Sequence, residues 1–191
     1  MTELYVVRHG QTEWSANGRH TSVTDLPLTE HGEEQARALV GHLDPADFAL
    51  VLSSPRRRAR HTAELAGFTG GHEPQLDEDL AEWAYGDYEG LTSPEIAEQV
   101  PGWTIWTHPV PGGESAEEVS ARLDRVVARV RDSGVERALC FGHGHALRAL
   151  TMRWLGFDLR LGLHFPLDTS TVSVLGEEKG EPALERWNAR P

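Results

Sequence analysis

The stretch Leu4-Tyr5-Val6-Val7-Arg8-His9-Gly10 sets an apolar run directly before three residues that can handle an anion. Continuous apolar runs of this length are typical of a strand that is buried on both faces. After the run, a guanidinium could hold the anion and an imidazole nitrogen could attack it. The glycine that follows lets backbone approach closely. The stretch therefore predicts a buried strand that ends in a nucleophilic, anion-binding turn.

Similar apolar runs recur along the chain, and helical periodicity separates them. We predict strands at residues 4–7, 48–52, 138–141 and 171–175, with an edge strand at 183–187. Apolar stripes at helical spacing lie within residues 36–43, 119–130 and 147–155, and Ser115 with Glu118 forms a capping box before the second stripe. Strands that alternate with helices predict an α/β fold, here a three-layer α/β/α sandwich with a mainly parallel central sheet.

The length of 191 residues suits one domain with a full core, and we assign residues 1–191 to a single domain. Residues 92–113 are rich in Pro, Gly and Trp and lack a long periodic segment. We interpret them as a short helix plus loop that forms a lid or substrate-specificity segment over the site. Residues 157–170 are predicted to be irregular.

The formal net charge of −12 argues against a nucleic-acid partner, which usually requires a basic face. The one basic cluster, at residues 56–60, is interpreted as a solvated helix face apart from Arg58. No signal peptide or membrane span is predicted. The single cysteine, Cys140, lies in an apolar run and fits a core position in a reducing cytosol, so we expect a cytoplasmic protein.

Polar residues that could form a site follow three of the predicted strands. Besides the first strand, Ser53-Ser54-Pro55 leads into a helix that carries Arg58, and Gly142-His143-Gly144-His145 follows the third apolar run. In a mainly parallel sheet the ligand crevice lies beyond the carboxyl ends of the strands. The topology is therefore expected to bring these distant segments together.

Arg8, Arg58, His9 and His143 would together form a cationic pocket whose geometry suits phosphate oxygens. Neighbouring positive charges favour the neutral imidazole of His9, which could attack phosphorus and form a phosphohistidine. His143, as a donor, could stabilise charge on the transferring group.

The leaving oxygen of a phosphate ester needs a proton, and Glu82 is the best candidate to supply it. It lies beside aromatic residues in Leu80-Ala81-Glu82-Trp83-Ala84-Tyr85-Gly86. The same carboxyl group, once ionised, could activate the water that cleaves the phosphohistidine. A surface or capping role for Glu82 is an open alternative, because acidic residues are mostly exposed.

The remaining histidines receive simpler interpretations. His143 and His145 could be a metal-binding pair, but no Asp or Cys cluster nearby completes a ligand set, and we predict no metal site. His164 precedes a predicted strand near the crevice, and its position is left open. Surface positions are expected for the histidines in polar stretches, which are His20, His31, His42, His61, His72 and His108.

These pieces occur in an order that resembles the histidine phosphatase superfamily, with its phosphoglycerate-mutase-like fold, over nearly the whole chain. The matching blocks are Arg8-His9-Gly10-Gln11-Thr12, Asp25-Leu26-Pro27-Leu28-Thr29 with Gly32 and Gln35-Ala36, Ser53-Ser54-Pro55 with Arg58-Ala59 and Thr62-Ala63, Glu82 with Tyr85-Gly86 and Glu89-Gly90, Gly113-Glu114-Ser115, and Gly142-His143-Gly144.

The resemblance implies a role for each site residue. His9 is the expected nucleophile and Glu82 the proton donor, and His143 completes the catalytic set, with no metal or cofactor. Arg8 and Arg58 belong to the implied phosphate pocket. Ser15 stands where members often carry Asn, and it could replace that donor with a shorter one. The other implied contacts to substrate or phosphate are Arg19, Thr21, Ser22, Tyr85 and Gly144.

Within the superfamily, the resemblance favours a phosphatase. Phosphoglycerate mutases carry a longer, basic insertion that shields the phosphoenzyme, whereas residues 91–113 here contain no Lys or Arg. Trp14-Ser15, residues 24–29 and Trp103-Thr104-Ile105-Trp106 are similar to the sedoheptulose bisphosphatase branch, which implies a small phosphorylated metabolite. A mutase, a phosphoprotein phosphatase and a binding module without turnover are the alternatives, and a homodimer is left open.

Overall fold

The apolar run at residues 4–7 lies in the interior of a six-stranded sheet in the computed structural model, which describes residues 2–191. The strands are β1 (Glu3–Arg8), β2 (Leu50–Ser53), β3 (Gln75–Leu76), β4 (Arg137–Gly142), β5 (Val172–Glu178) and β6 (Glu181–Ala189). Their order across the sheet is β3-β2-β4-β1-β5-β6. The first four pair in parallel, whereas β5 runs antiparallel to both β1 and β6. This arrangement confirms the mainly parallel sheet, and β6 is the predicted edge strand.

Helices cover both faces of the sheet. They are α1 (Glu13–Asn17), α2 (Glu30–Arg37), α3 (Arg57–Leu65), α4 (Ser93–Gln99), α5 (Ala116–Asp132) and α6 (Gly144–Leu155). The predicted capping box opens α5, where Glu118 N donates to Ser115 Oγ (3.1 Å) and Ser115 N donates to Glu118 Oε2 (2.8 Å). Two orphan donors of the helix are satisfied in this way, which fixes where the helix begins.

Two apolar cores result, one on each side of the sheet. Neighbouring residues of a strand point to opposite faces, so Val6 joins the core under α5 and α6 while Val7 joins the core under α3. Cys140 is buried in the first core, as predicted, and Phe141 lies in the second. The α/β/α layering predicted from the continuous runs is confirmed.

Two segments differ from the periodicity in instructive ways. The stripe within residues 36–43 is not one helix, because α2 ends at Arg37 and Gly41 adopts a φ of +83°, which ends any helical path. Leu39 and Leu43 are nevertheless buried, whereas Val40 is exposed. The irregular region at 157–170 contains a short 3₁₀ segment, Leu159–His164.

Within residues 2–191, none of the helices combines the length and the apolar character that crossing a bilayer requires.

Candidate active site

The carboxyl ends of β1, β2 and β4 meet at one edge of the sheet, as the sequence predicted. His9 N donates to Gly142 O (3.0 Å), and Ser54 N donates to Phe141 O (2.9 Å). The rings of His9 and His143 pack edge-to-face with centroids 5.2 Å apart. Residues from three distant parts of the chain therefore share one small region.

His9 is held in a single tautomer. Its Nδ1 lies 2.7 Å from Gly10 O, and because a carbonyl can only accept, the ring proton must be on Nδ1. Nε2 therefore presents a lone pair, and it has no protein partner among residues 2–191. Burial, followed by the charges of Arg58 and Arg8, lowers the pKa of His9 well below its ordinary value. The ring is thus neutral and fixed in orientation, which is the state that nucleophilic attack requires.

The glycine that follows His9 allows a close approach of backbone, although the partner is protein rather than a ligand. A Cβ on Gly10 would lie 2.3 Å from Gly32 O, and one on Gly32 would lie 2.1 Å from Gln11 O. Gly10 N also donates to Thr62 Oγ1 (2.9 Å). The turn after β1 is therefore pressed against the start of α2 and tied to α3.

Arg58, on α3, is fully buried behind His9. Its Nη atoms donate to three carbonyl oxygens, those of Thr21, Ser22 and Thr24. Its Nε donates to His143 Nδ1 (3.2 Å). The guanidinium thus ties the loop at 21–24 to His143, the residue after β4, and places a fixed positive charge near His9.

This contact also determines the tautomer of His143. Because its Nδ1 accepts from Arg58, the ring proton lies on Nε2, which donates to Ser54 Oγ (2.7 Å). Burial, together with nearby charges led by Arg58, lowers the pKa of His143 well below its ordinary value. In this arrangement the N–H of His143 is directed to Ser54.

Arg8, the last residue of β1, is half-buried and lines the cavity described below. Its Nη1 donates to Leu167 O, and Ser170 N donates back to Arg8 O (2.9 Å). A Cβ on Gly144 would lie 3.3 Å from Arg8 Nε, so the glycine leaves just enough room for the guanidinium. Arg8 is therefore positioned by the 167–170 segment and by the first turn of α6.

Glu82 faces the N-terminus of α6. Its Oε1 accepts from Trp83 N (2.9 Å) and Ala146 N (2.8 Å), and its Oε2 accepts from His145 N (3.1 Å). A helix N-terminus supplies free N–H groups and a favourable dipole for such a carboxyl group. Both lone pairs of Oε1 accept hydrogen bonds, whereas one lone pair of Oε2 has no donor within residues 2–191. Of the alternative left open by the sequence, the surface position is wrong, because Glu82 is buried, whereas the capping role is confirmed by its contacts with the first turn of α6.

A cavity of about 150 Å³ lies in front of these groups. The predicted site residues that line it are Arg8, His9, Ser15, Arg19, Thr21, Glu82, Tyr85 and Gly144. Three others lie behind the cavity wall, namely Ser22, Arg58 and His143. A larger groove of about 880 Å³ between residues 105–124 and 153–160 contains none of the predicted site residues.

The hydroxyl groups of the predicted contacts are partly committed to protein. Ser15 Oγ accepts from Thr12 N (2.8 Å) and donates to Thr12 O (3.1 Å), so it caps α1 while it lines the cavity. Ser22 Oγ donates to Glu89 and accepts from Tyr85 N (3.2 Å). Thr21 Oγ1 donates to Arg19 O (3.1 Å). These bonds fix the loop that surrounds the cavity.

The surface position predicted for His20 is wrong. His20 is 9% exposed and lines the cavity, and its ring packs on Tyr85 with a centroid distance of 4.6 Å. Burial lowers its pKa to about 4. The polar residues next to His20 in the sequence do not indicate its burial, because the groups that bury the ring come from residues more than sixty positions away.

Two further lining residues, His145 and Arg148, had no assigned function in the sequence. Tyr85 Oη lies 2.6 Å from His145 Nδ1, and Arg148 stacks over Trp106 at 4.7 Å. A signal for Arg148 was present, because it follows Gly144 by four residues and thus shares its helix face. His164, left open by the sequence, is exposed and does not line the cavity.

His143 and His145, the possible metal-binding pair, have different protein partners. The ring of His143 contacts Arg58 and Ser54, whereas that of His145 contacts Tyr85. In the part of the chain that the structure describes, no group of three or more His, Cys, Asp or Glu side chains is placed to hold a metal ion.

Comparison with known proteins identifies the family. Residues 4–190 match the family model of the histidine phosphatase superfamily, branch 1. The chain belongs to the histidine phosphatase superfamily. It is 43% identical over 181 residues to an acid phosphatase of Mycobacterium tuberculosis, a match that covers 93% of this chain and 87% of that protein.

Two more comparisons agree with this membership. The histidine phosphatase chain is 35% identical over 184 residues to sedoheptulose 1,7-bisphosphatase of Saccharomyces cerevisiae, covering 81% of this chain and 68% of that protein. Its fold is similar to the solved structure of the open reading frame Rv3214 product from Mycobacterium tuberculosis, with a TM-score of 0.93 and 38% identity over 99% of this chain and 98% of the other.

In this histidine phosphatase, the Trp-rich segment at 92–113 packs behind the cavity wall. Trp103 lies edge-on to His20 with centroids 5.3 Å apart, and Trp106 lies edge-on to His145 at 5.4 Å. Both tryptophans are only 5% exposed. The segment thus supplies apolar support to two cavity histidines and adds no cationic side chain of its own.

Proposed function

We propose that this protein is a metal-independent phosphomonoesterase that hydrolyses a small phosphorylated metabolite, a sugar phosphate or a related ester, through a phosphohistidine intermediate. The observation that carries the proposal is the tautomer of His9. Its Nδ1–H donates to Gly10 O, so the free lone pair of Nε2 lies in a cavity that Arg8 and Glu82 also line.

In the first step, Nε2 of His9 attacks phosphorus and the bond to the leaving oxygen breaks. Arg8 holds the phosphoryl oxygens, and the charge of Arg58 stabilises the build-up of negative charge from behind. Glu82, protonated at the free position of Oε2, passes that proton to the departing oxygen and is left as a carboxylate. Direct donation from His143 to the transferring group is a prediction, and it would require His143 to exchange its bond with Ser54.

In the second step, water attacks phosphorus, the bond to His9 breaks, and Glu82 takes the proton of the water. The absence of Lys and Arg at residues 91–113 supports hydrolysis over transfer, because nothing in that segment would bind the carboxylate of a second substrate. Its tryptophans lie behind the wall rather than across the opening. The segment predicted to be a lid or specificity element is therefore proposed to shape the cavity wall.

The test is hydrolysis of 4-nitrophenyl phosphate in excess chelator. We expect the wild type to keep its activity and His9→Ala to lose more than about 10³-fold. His42→Ala, which changes an exposed histidine far from the cavity, is the matched control. Labelled phosphate retained on denatured wild type, but not on His9→Ala, would identify the intermediate. Turnover that the chelator abolishes, or full activity in His9→Ala, contradicts the proposal.

A mutase is the second candidate. Arg19 and Tyr85, which phosphoglycerate mutases also carry, line the cavity. Isomerisation of monophosphoglycerate in the presence of bisphosphoglycerate, faster than phosphate release, would favour it. The cavity of about 150 Å³ supports a small ester over a phosphoprotein. We also propose a cytoplasmic protein without a cofactor or nucleic-acid partner, and light scattering would test for a homodimer.

A further inference from the structure

Two histidines flank Tyr85 in the cavity wall, and the proposed phosphoryl chemistry uses neither of them. The ring of His20 packs on Tyr85 at 4.6 Å, and His145 Nδ1 lies 2.6 Å from Tyr85 Oη. The two histidine rings are 5.8 Å apart. All three side chains line the same cavity as His9 and Glu82, and the backbone N of His145 donates to Glu82, the proposed proton donor to the leaving group.

Each of these histidines uses one ring nitrogen and offers the other. His20 Nε2 lies 3.2 Å from Ser93 Oγ, and His145 Nδ1 contacts Tyr85. The second nitrogen of each ring, Nδ1 of His20 and Nε2 of His145, has no hydrogen-bond partner within residues 2–191, and neither is sealed from solvent. Each of these two histidines of the cavity wall therefore keeps one ring nitrogen that is unused and accessible to solvent.

Both rings are uncharged at neutral pH. Burial lowers the pKa of His20 to about 4, and burial together with Arg148 lowers the pKa of His145 well below its ordinary value. Trp103 and Trp106 supply part of that apolar surrounding. A neutral imidazole can donate or accept a hydrogen bond, but it cannot form an ion pair with an anion.

The arginines on this side of the cavity are committed to protein groups. Arg19 Nη1 donates to Gly90 O (2.6 Å) and pairs with Glu95 (3.4 Å). Arg148 donates through Nε and Nη2 to Gly162 O, at 3.0 and 2.6 Å. Their main contribution is to hold the 90 and 162 segments in place. The N–H groups that these arginines keep free can only donate, so the two histidines add neutral groups to the wall that can also accept a hydrogen bond.

We propose that His20 and His145 form a hydroxyl-binding subsite that selects phosphate esters with a polyhydroxylated leaving group. A hydroxyl both donates and accepts, so it matches a neutral imidazole in either tautomer, whereas a hydrocarbon would leave both nitrogens unpaired. This inference rests on the proposed phosphatase function, and it names the class of substrate for the same site.

The first test compares two esters in the wild type. Ribitol 5-phosphate and pentyl phosphate have the same chain length, and only the former carries hydroxyl groups along it. We expect kcat/KM for ribitol 5-phosphate to be higher by about 10- to 100-fold, the effect of one or two neutral hydrogen bonds. A ratio near one overturns the inference without affecting the proposed function. If the protein releases phosphate from none of the three esters, 4-nitrophenyl phosphate included, the proposed function itself is overturned.

The second test uses His20→Phe and His145→Phe, which keep a ring against Trp103 and Trp106 but remove the nitrogens. We expect each variant to lower the ratio of the two kcat/KM values about tenfold, through a larger loss on ribitol 5-phosphate than on pentyl phosphate. His42→Phe, an exposed position, should leave the ratio unchanged. Equal losses on both esters, or an unchanged ratio in both cavity variants, overturn the inference.

Discussion

Two adjacent imidazoles in this site carry their protons on opposite nitrogens, and a single neighbour determines each choice. A carbonyl oxygen next to His9 requires a donor, whereas the Nε of Arg58 next to His143 requires an acceptor. The first ring is therefore left with a lone pair for attack, and the second with an N–H that reaches Ser54. The same residue type thus supplies one ring with a free lone pair and one ring with a committed N–H.

At the residue scale, replacing Glu82 by Gln separates the two roles of the carboxyl group. We expect turnover of an alkyl phosphate to fall about 10²- to 10⁴-fold, and that of 4-nitrophenyl phosphate to fall much less, because its leaving group scarcely needs a proton. The amide nitrogen would oppose His145 N–H, so the free energy of unfolding should drop by about 1–2 kcal/mol.

Steady-state kinetics on both esters and urea unfolding test this prediction. Glu78→Gln, at an exposed position, should change neither activity nor stability. Equal losses on the two esters would mean that Glu82 does not protonate the leaving group.

Some residues of the site could be found from sequence and others could not, for a physical reason. His9 follows an apolar strand that marks where it lies, so its burial could be anticipated. His20 sits in a polar stretch, and its burial arises only because Tyr85 and Trp103 fold over it. Tertiary desolvation of this kind leaves no local pattern.

At the scale of elements, the turn after β1 depends on two glycines that touch. Gly10→Ala would drive a Cβ into Gly32 O, where the available distance is 2.3 Å and the obstacle is backbone. We expect a loss of about 1–3 kcal/mol in the free energy of unfolding, together with reduced activity, because His9 moves with its neighbour.

Gly144→Ala is the matched comparison, because its Cβ would meet the flexible guanidinium of Arg8 at 3.3 Å. In this variant we expect activity to fall while stability in urea is kept, since Arg8 can shift and alanine favours the helix. If Gly10→Ala were as stable as the wild type, the rigid contact between β1 and α2 would not exist.

The hydrophobic periodicity of the sequence predicts which residues are buried better than it predicts the secondary structure that buries them. The stripe within residues 36–43 correctly predicts that Leu39 and Leu43 are buried, but they reach the core from turns after α2 rather than from a helix. The two-residue strand β3 is exposed and has no apolar pattern from which it could be predicted. By contrast, the continuous runs of β1 and β4 lie between two helical layers, and the sequence alone indicates that position.

At the scale of the whole molecule, the site places an unusual number of neutral imidazoles inside the fold. Burial is the leading cause of a lowered pKa in four histidines, and for three of them nearby arginines add to the effect. These residues are His9, His20, His143 and His145. In the unfolded chain each would titrate near ~6.5. The folded state therefore binds fewer protons than the unfolded state in mildly acidic solution.

The sign of the resulting pH dependence follows from this difference. Above the unfolded pKa of about 6.5 the four groups are neutral in both states and do not affect stability. As the pH falls below that value, only the unfolded chain takes up protons, and each histidine removes about 1.4 kcal/mol of stability per pH unit until its folded pKa is reached. For His20 that limit lies at about pH 4.

We therefore expect the free energy of unfolding to fall between pH 7.0 and 5.5, by about 1 kcal/mol from His20 and further, in the same direction, from the other three histidines. Urea unfolding at the two pH values measures this drop. His20→Phe should reduce it by about 1 kcal/mol, whereas His42→Phe, at an exposed position, should leave it unchanged. A stability that is flat over this range would mean that the buried imidazoles are charged. Since His9 itself stays neutral there, loss of activity in mild acid should follow unfolding rather than titration of the nucleophile.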